Sequence, residues 1–177
     1  MTKCVGSLAT LRMTIGPYGG KVLCAKRVTR RVRPWEEAIA TAAPTTYPGS
    51  KATGMGPVFA PTPDEKDGED LTIAVAWFYE IAATSMLRIS DAAGTPIAGA
   101  YDILSLVGQY PDLPKEIGMV EGVGVLSRPS PHPDSHGLVF CLWCPRKDGG
   151  EPAGWRATLR WFDKKWENLT LIPFLVA

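Results

Sequence analysis

Apolar residues recur at every second position over long parts of this chain. In LTIAVAWFYEIAATSMLRIS (71–90) the odd positions Leu71, Ile73, Val75, Trp77, Tyr79, Ile81, Leu87 and Ile89 are uncharged, and Thr72, Glu80, Thr84 and Arg88 fall between them. Successive side chains of a strand point to opposite faces, so this pattern predicts one long bent strand or two strands broken near 80–85. A helix over 76–88 is the competing reading. LATLRMTI (8–15) also alternates, with Leu11, Met13 and Ile15 on one side. GPYGG (16–20) supplies turn residues, and KVLCAKRVTRRVR (21–33) continues with Val22, Cys24, Val28 and Val32 in phase. Together these segments predict a β-hairpin. PWEEAIATAA (34–43) reads as a short helix, with Pro34 near its start and Glu36 and Glu37 in its first turn.

Further strands are expected at MVEGVGVLS (119–127), at LVFCLWC (138–144), at 155–161 and, after the reversal at DKK, over 166–176. Residues 97–108 read as a strand or a strand–helix piece. Six to eight short strands separated by Gly/Pro turns predict a mainly β fold, an antiparallel β-sandwich or small barrel. Residues 44–70 hold five prolines and four glycines, a composition that favours an extended connector. The expected organisation is a basic N-terminal arm (1–43), a Pro/Gly-rich connector (44–70) and a β-rich body (71–177).

Composition narrows the class. A chain of 177 residues with 45% hydrophobic and 21% charged residues is one globular domain's worth of sequence, not a disordered one. Six tryptophans imply large flat contact surfaces in the core or against partners. The N-terminus lacks the apolar run of a secretory signal, and GPYGG interrupts the amphipathic helix that a transit peptide would need. A non-secreted protein, cytoplasmic or within a viral particle, is the expectation, with Cys4, Cys24, Cys141 and Cys144 as reduced thiols.

Charge changes the picture most. The net charge of +1 conceals an acid-free stretch of 1–35 carrying eight cations, against a remainder of net −7. Asymmetry of this kind argues about association rather than fold. Arg12, Lys21, Lys26, Arg27, Arg30, Arg31 and Arg33, with Trp35 beside them, are the candidate residues for binding a partner or nucleic acid. Cations two apart on a strand face form an extended row that suits a phosphate backbone, and Tyr18 and Trp35 could stack on bases. The bland alternative is a solvated strand edge protected by charge. A third reading satisfies the arm against the acidic body of another copy, since a connector of 44–70 could reach roughly 80–90 Å if fully extended.

The sharpest local cluster is HPDSHGLVFCLWC (132–144), where His132, His136, Cys141 and Cys144 have the residue types of a tetrahedral zinc site. Geometry argues against it: cysteines three apart on a strand face opposite ways. Asp134, Ser135 and His136 are merely adjacent, whereas a triad needs converging side chains. GVG (122–124) lacks the third glycine of a dinucleotide motif, and no G-x-S-x-G elbow or Walker lysine is present. Cys141-x-x-Cys144 has redox-pair spacing but no helix N-terminus to activate a thiol. No catalytic residue is expected, and zinc is the one cofactor considered.

The sequence thus favours a non-enzymatic structural or interaction protein that assembles with copies of itself or other proteins through its basic arm. A virion component of a virus or phage (capsid decoration, connector or tail subunit) is the natural setting. The alternatives are a regulatory nucleic-acid-binding module using the basic hairpin, and a zinc-stabilised adaptor or small inhibitor.

Overall fold

A computed structural model describes residues 5–44, 51–119, 122–135, 137–145, 154–162, 165–167 and 170–177. In chain order the elements are α1 (Leu8–Ile15), β1 (Lys21–Thr29), α2 (Trp35–Ala42), β2 (Asp70–Trp77), β3 (Glu80–Ala82), α3 (Ala83–Ala93), α4 (Ala100–Gln109) and α5 (Leu113–Glu116). They continue as β4 (Val123–Pro129), β5 (Leu138–Cys144), β6 (Arg156–Trp161), β7 (Lys165–Glu167) and β8 (Thr170–Val176). Six strands form one sheet in the order β1-β2-β8-β4-β5-β6, and β3 pairs with β7 in a separate ribbon. All neighbours are antiparallel except β4 and β8.

The alternation of the strands builds two cores, one on each face of the sheet. Ile73, Val75, Phe140, Leu142 and Leu171 face α2, α4 and the 3₁₀ stretch Lys51–Phe59. Ala74, Ala76, Val139, Cys141, Ile172 and Phe174 face the opposite way, where α1 and α3 pack. The fold is therefore mixed α/β, not mainly β. Its sheet is open at β1 and β6, so it is not a barrel, and helices cover the faces where a sandwich would place a second sheet.

Two strand expectations are corrected by helices. Residues 8–15 form α1 because Leu8, Leu11 and Ile15 follow helical spacing, while Met13, which fits only the alternation, is 72% exposed. Ser7 caps the helix by accepting the Thr10 N–H at 3.1 Å. Likewise the alternation of 71–90 ends at β3. Met86, Ile89 and Ala93 of α3 are buried at spacings of three and four, and Leu87 and Tyr79 are exposed. The hairpin is thus a helix followed by a strand, and β1 pairs with β2 in the main sheet.

The basic segment contributes α1, β1 and α2 to the same sheet and cores as residues 71–177, so it is not an arm held apart. Of the expected connector, Ala52 and Phe59 are buried and 45–50 lie outside the described residues. Pro173 sits inside β8, where a missing N–H would ordinarily break a ladder. Its carbonyl accepts the Ala98 N–H at 2.9 Å, so its backbone points toward the irregular Pro96–Ala98 segment and not toward β2.

Candidate functional site

Antiparallel pairing sets Thr29 opposite Asp70 and so folds the basic stretch 26–33 against the acidic stretch 64–70. Past the strand the two continue together. The Arg30 N–H donates to Glu69 O (2.8 Å), the Gly68 N–H to Arg30 O (2.9 Å) and the Val32 N–H to Asp67 Oδ1 (2.8 Å). Arg30 itself is only 2% exposed. Its Nε donates to Asp102 Oδ1 at 2.6 Å and its Nη1 pairs with Glu69. Asp102, in the first turn of α4, also accepts the Gly99 N–H through Oδ2 at 2.8 Å. Burial works against the Arg30 charge, yet the Asp102 carboxylate, with Glu69 and Glu65, outweighs it and raises the Arg30 pKa. Arg30 is an internal strut and cannot reach a partner.

The other predicted residues divide. Lys26 pairs with Glu116 of α5 and lies 4.6 Å from the centre of the Tyr110 ring. Arg33 pairs with Glu37 at 2.9 Å, both about half exposed. Trp35 is buried: its ring stacks on Phe59 at 5.7 Å, meets Phe140 edge-on at 5.0 Å, and its Nε1–H donates to Ala52 O at 2.7 Å. It anchors the core and is not a platform for bases. Arg12, Lys21, Arg27 and Arg31 are exposed, and among the described residues none of them makes an ion pair. The expected arginine row ends at Thr29, because β1 stops there.

What the row leaves is a groove. α4 lies along the outer edge of β1, and its side chains take the places of a missing strand. The Thr29 N–H donates to Gln109 Oε1 (3.1 Å) and the Gln109 amide donates to Thr29 O (2.8 Å). The Tyr110 hydroxyl donates to Arg27 O (2.8 Å), and the Arg31 N–H donates to Ser105 Oγ (2.9 Å). Between this edge, α2 and α4 opens a cavity of about 300 Å³, floored by Ala38, Ala42, Leu104 and Gly108 and rimmed by Arg31, Arg33 and Thr41. The room exists because the floor is small: a Cβ on Gly108 would meet no atom within 4 Å. Ser105 also donates to Tyr101 O at 2.7 Å, and Thr41 donates to Glu37 O at 2.9 Å, so the hydroxyls are already engaged. The Arg31 guanidinium is the uncommitted charge, set over an apolar floor. Such a groove can hold an anionic group carried on an apolar body.

Asp102, Ser105, Gly108 and Gln109 had no role in the sequence reading. Asp102, Ser105 and Gln109 form a polar stripe at helical spacing (i, i+3, i+7) within 97–108 and its margin, a signal that becomes visible only once that segment is taken as a helix.

The zinc constellation does not converge. Cys141 packs in the core under α1 and α3, whereas Cys144 packs in the core on the opposite face, so one ion cannot take both thiols. Burial pushes the Cys141 thiol up to about 12. His132 accepts the Asp134 N–H at 3.3 Å in its loop, and His136 lies outside the described residues. Among the described residues no helix is long and apolar enough to cross a membrane. Comparison of the chain with family models, with curated proteins and with solved structures gives no match in any of the three.

Proposed function

We propose that the protein is a non-enzymatic interaction protein whose groove between β1, α2 and α4 captures an acidic segment of a protein partner. The observation that carries this reading is Arg31, exposed and without an ion pair among the described residues, at the rim of a cavity whose floor is apolar. An aspartate or glutamate side chain, or a C-terminal carboxylate, would meet Arg31 while its aliphatic part lies on Ala38, Ala42 and Leu104. The polar groups of the rim serve as backbone struts, which supports binding over chemistry. Lys26, Arg30 and Arg33 pair within their own chain, so assembly through the basic segment would fall to Arg12, Lys21, Arg27 and Arg31.

The test is an array of acidic and neutral peptides probed with labelled protein. Wild type is expected to retain acidic peptides, and Arg31→Ala and Gly108→Leu to lose them, the second by filling the groove without touching a charge. An unchanged profile in both variants would remove the groove from consideration.

A nucleic-acid reading is favoured by a separate observation, that Arg12, Lys21, Arg27 and Arg31 are each exposed and make no ion pair among the described residues. It predicts duplex binding that weakens steeply with salt and is lost in the fourfold alanine variant, with Gly108→Leu binding as wild type does.

A further inference from the structure

On the α1/α3 side of the sheet, strands β4, β5 and β6 carry a second cavity, of about 400 Å³, flanked by β7. Its floor is Gly124 and Cys141, and its walls include Trp143, Trp161 and Trp166. Three of the six tryptophans of the chain therefore meet in one place. Gly124 makes the space: a Cβ there would stand 3.2 Å from the Trp143 ring and 3.4 Å from Cys141 Sγ. Arg160 and Lys165 supply positive charge, and among the described residues no carboxylate lines the cavity. Lys165 is partly committed to Glu80 at 2.8 Å, whereas Arg160 is exposed and makes no ion pair among the described residues. Trp161, at the end of β6, is 57% exposed, so its ring is open to a ligand entering the cavity. Trp166 adds an unmet need. Buried indoles ordinarily find an acceptor, as Trp35 does on Ala52 O and Trp155 on Pro111 O, yet the buried Trp166 Nε1–H has none among the described residues.

We propose that this cavity binds a nucleotide unit, its base stacked on the tryptophans and its phosphate held by Arg160. Flat indole faces accept any planar base, and a guanidinium beside them accepts the phosphate that travels with it. A neutral sugar would also lie on tryptophan, but its hydroxyls call for carboxylate and amide acceptors, and the polar groups that line the cavity among the described residues are two cations and a threonine. The acidic-peptide groove is formed by other elements, so the two sites stand or fall separately.

The chemistry is shared by a free mononucleotide and by one unit of a single strand, and titration distinguishes them. Adenosine monophosphate, adenosine, inorganic phosphate and a short single-stranded oligo(dA) are added in turn, followed by tryptophan quenching and by calorimetry. Saturable binding of the monophosphate alone identifies a free nucleotide, and tighter binding of the oligonucleotide identifies a single strand; either supports the site. Arg160→Ala and Trp161→Ala, both exposed and so expected to keep the wild-type melting curve, should each weaken binding about tenfold. Gly108→Leu should leave it unchanged. The proposal is overturned by the absence of binding at millimolar ligand, by adenosine or phosphate binding as tightly as the monophosphate, or by undiminished binding in both variants.

Discussion

A guanidinium taken out of water needs a carboxylate at hydrogen-bond distance, and Arg30 finds one in Asp102, itself fully buried. Removing one partner strands the other, so Asp102→Ala should destabilise the protein by about 3–5 kcal/mol in urea denaturation. The apolar pair Arg30→Met with Asp102→Leu should recover most of that loss, which separates the penalty for an unpaired charge from the value of the pair. Cys141 makes a second prediction at this scale. Its thiol titrates near 9 when solvated and is pushed up to about 12 by burial, so the folded state resists its ionisation. Its contribution to stability is intact below pH 9 and is lost as pH rises toward 12, by up to about 1.4 kcal/mol per pH unit. Cys141→Ala should flatten that part of the stability–pH curve, and native Cys141 should resist iodoacetamide at pH 8 until the chain unfolds.

The elements owe their boundaries to contacts made across the sequence. β1 is an edge strand, and an uncovered edge invites pairing with other chains. α4 covers part of it with Gln109, Tyr110 and Ser105, which restore the hydrogen bonds a neighbouring strand would make. Gln109→Ala should cost about 0.5–1.5 kcal/mol and speed hydrogen exchange at the Thr29 amide, measured by NMR, since water replaces the two exposed hydrogen bonds that held it. Gly56 shows how closely the segment Lys51–Phe59 approaches α2. A Cβ at that position would stand 3.0 Å from Trp35 Cβ, so Gly56→Ala should lower the melting temperature by loosening the Trp35–Phe59 stack.

At the scale of the whole molecule, the division of charge along the chain is partly undone by folding, which pairs Lys26, Arg30 and Arg33 and leaves Arg12, Lys21, Arg27 and Arg31 exposed. Residues 26–33 and 64–70 are far apart in sequence, and antiparallel pairing of β1 with β2 superposes them. Because Val28, Trp35 and Ile39 share a core with Phe140 and Leu171, a fragment of residues 71–177 should fail to fold by itself, which circular dichroism and NMR dispersion would show. Part of this was legible beforehand. The strands at 21–29, 71–77 and 156–161 lie where alternation puts them, the strand at 138–144 lies in its unbroken apolar run, and α2 follows from Pro34 and its two glutamates. The opposed faces of Cys141 and Cys144 also follow from strand period alone. The groove and the tryptophan cavity were not legible. Gly108 and Gln109 meet Thr29 only across the sheet edge, and Trp143 meets Trp166 only through the return of β7. The sequence by itself determined local periodicity, because a side chain's direction is set by its nearest backbone neighbours. Only the tertiary structure decided which charges cancel and which cavities remain, because those depend on residues that distant pairing brings within a few ångströms of one another.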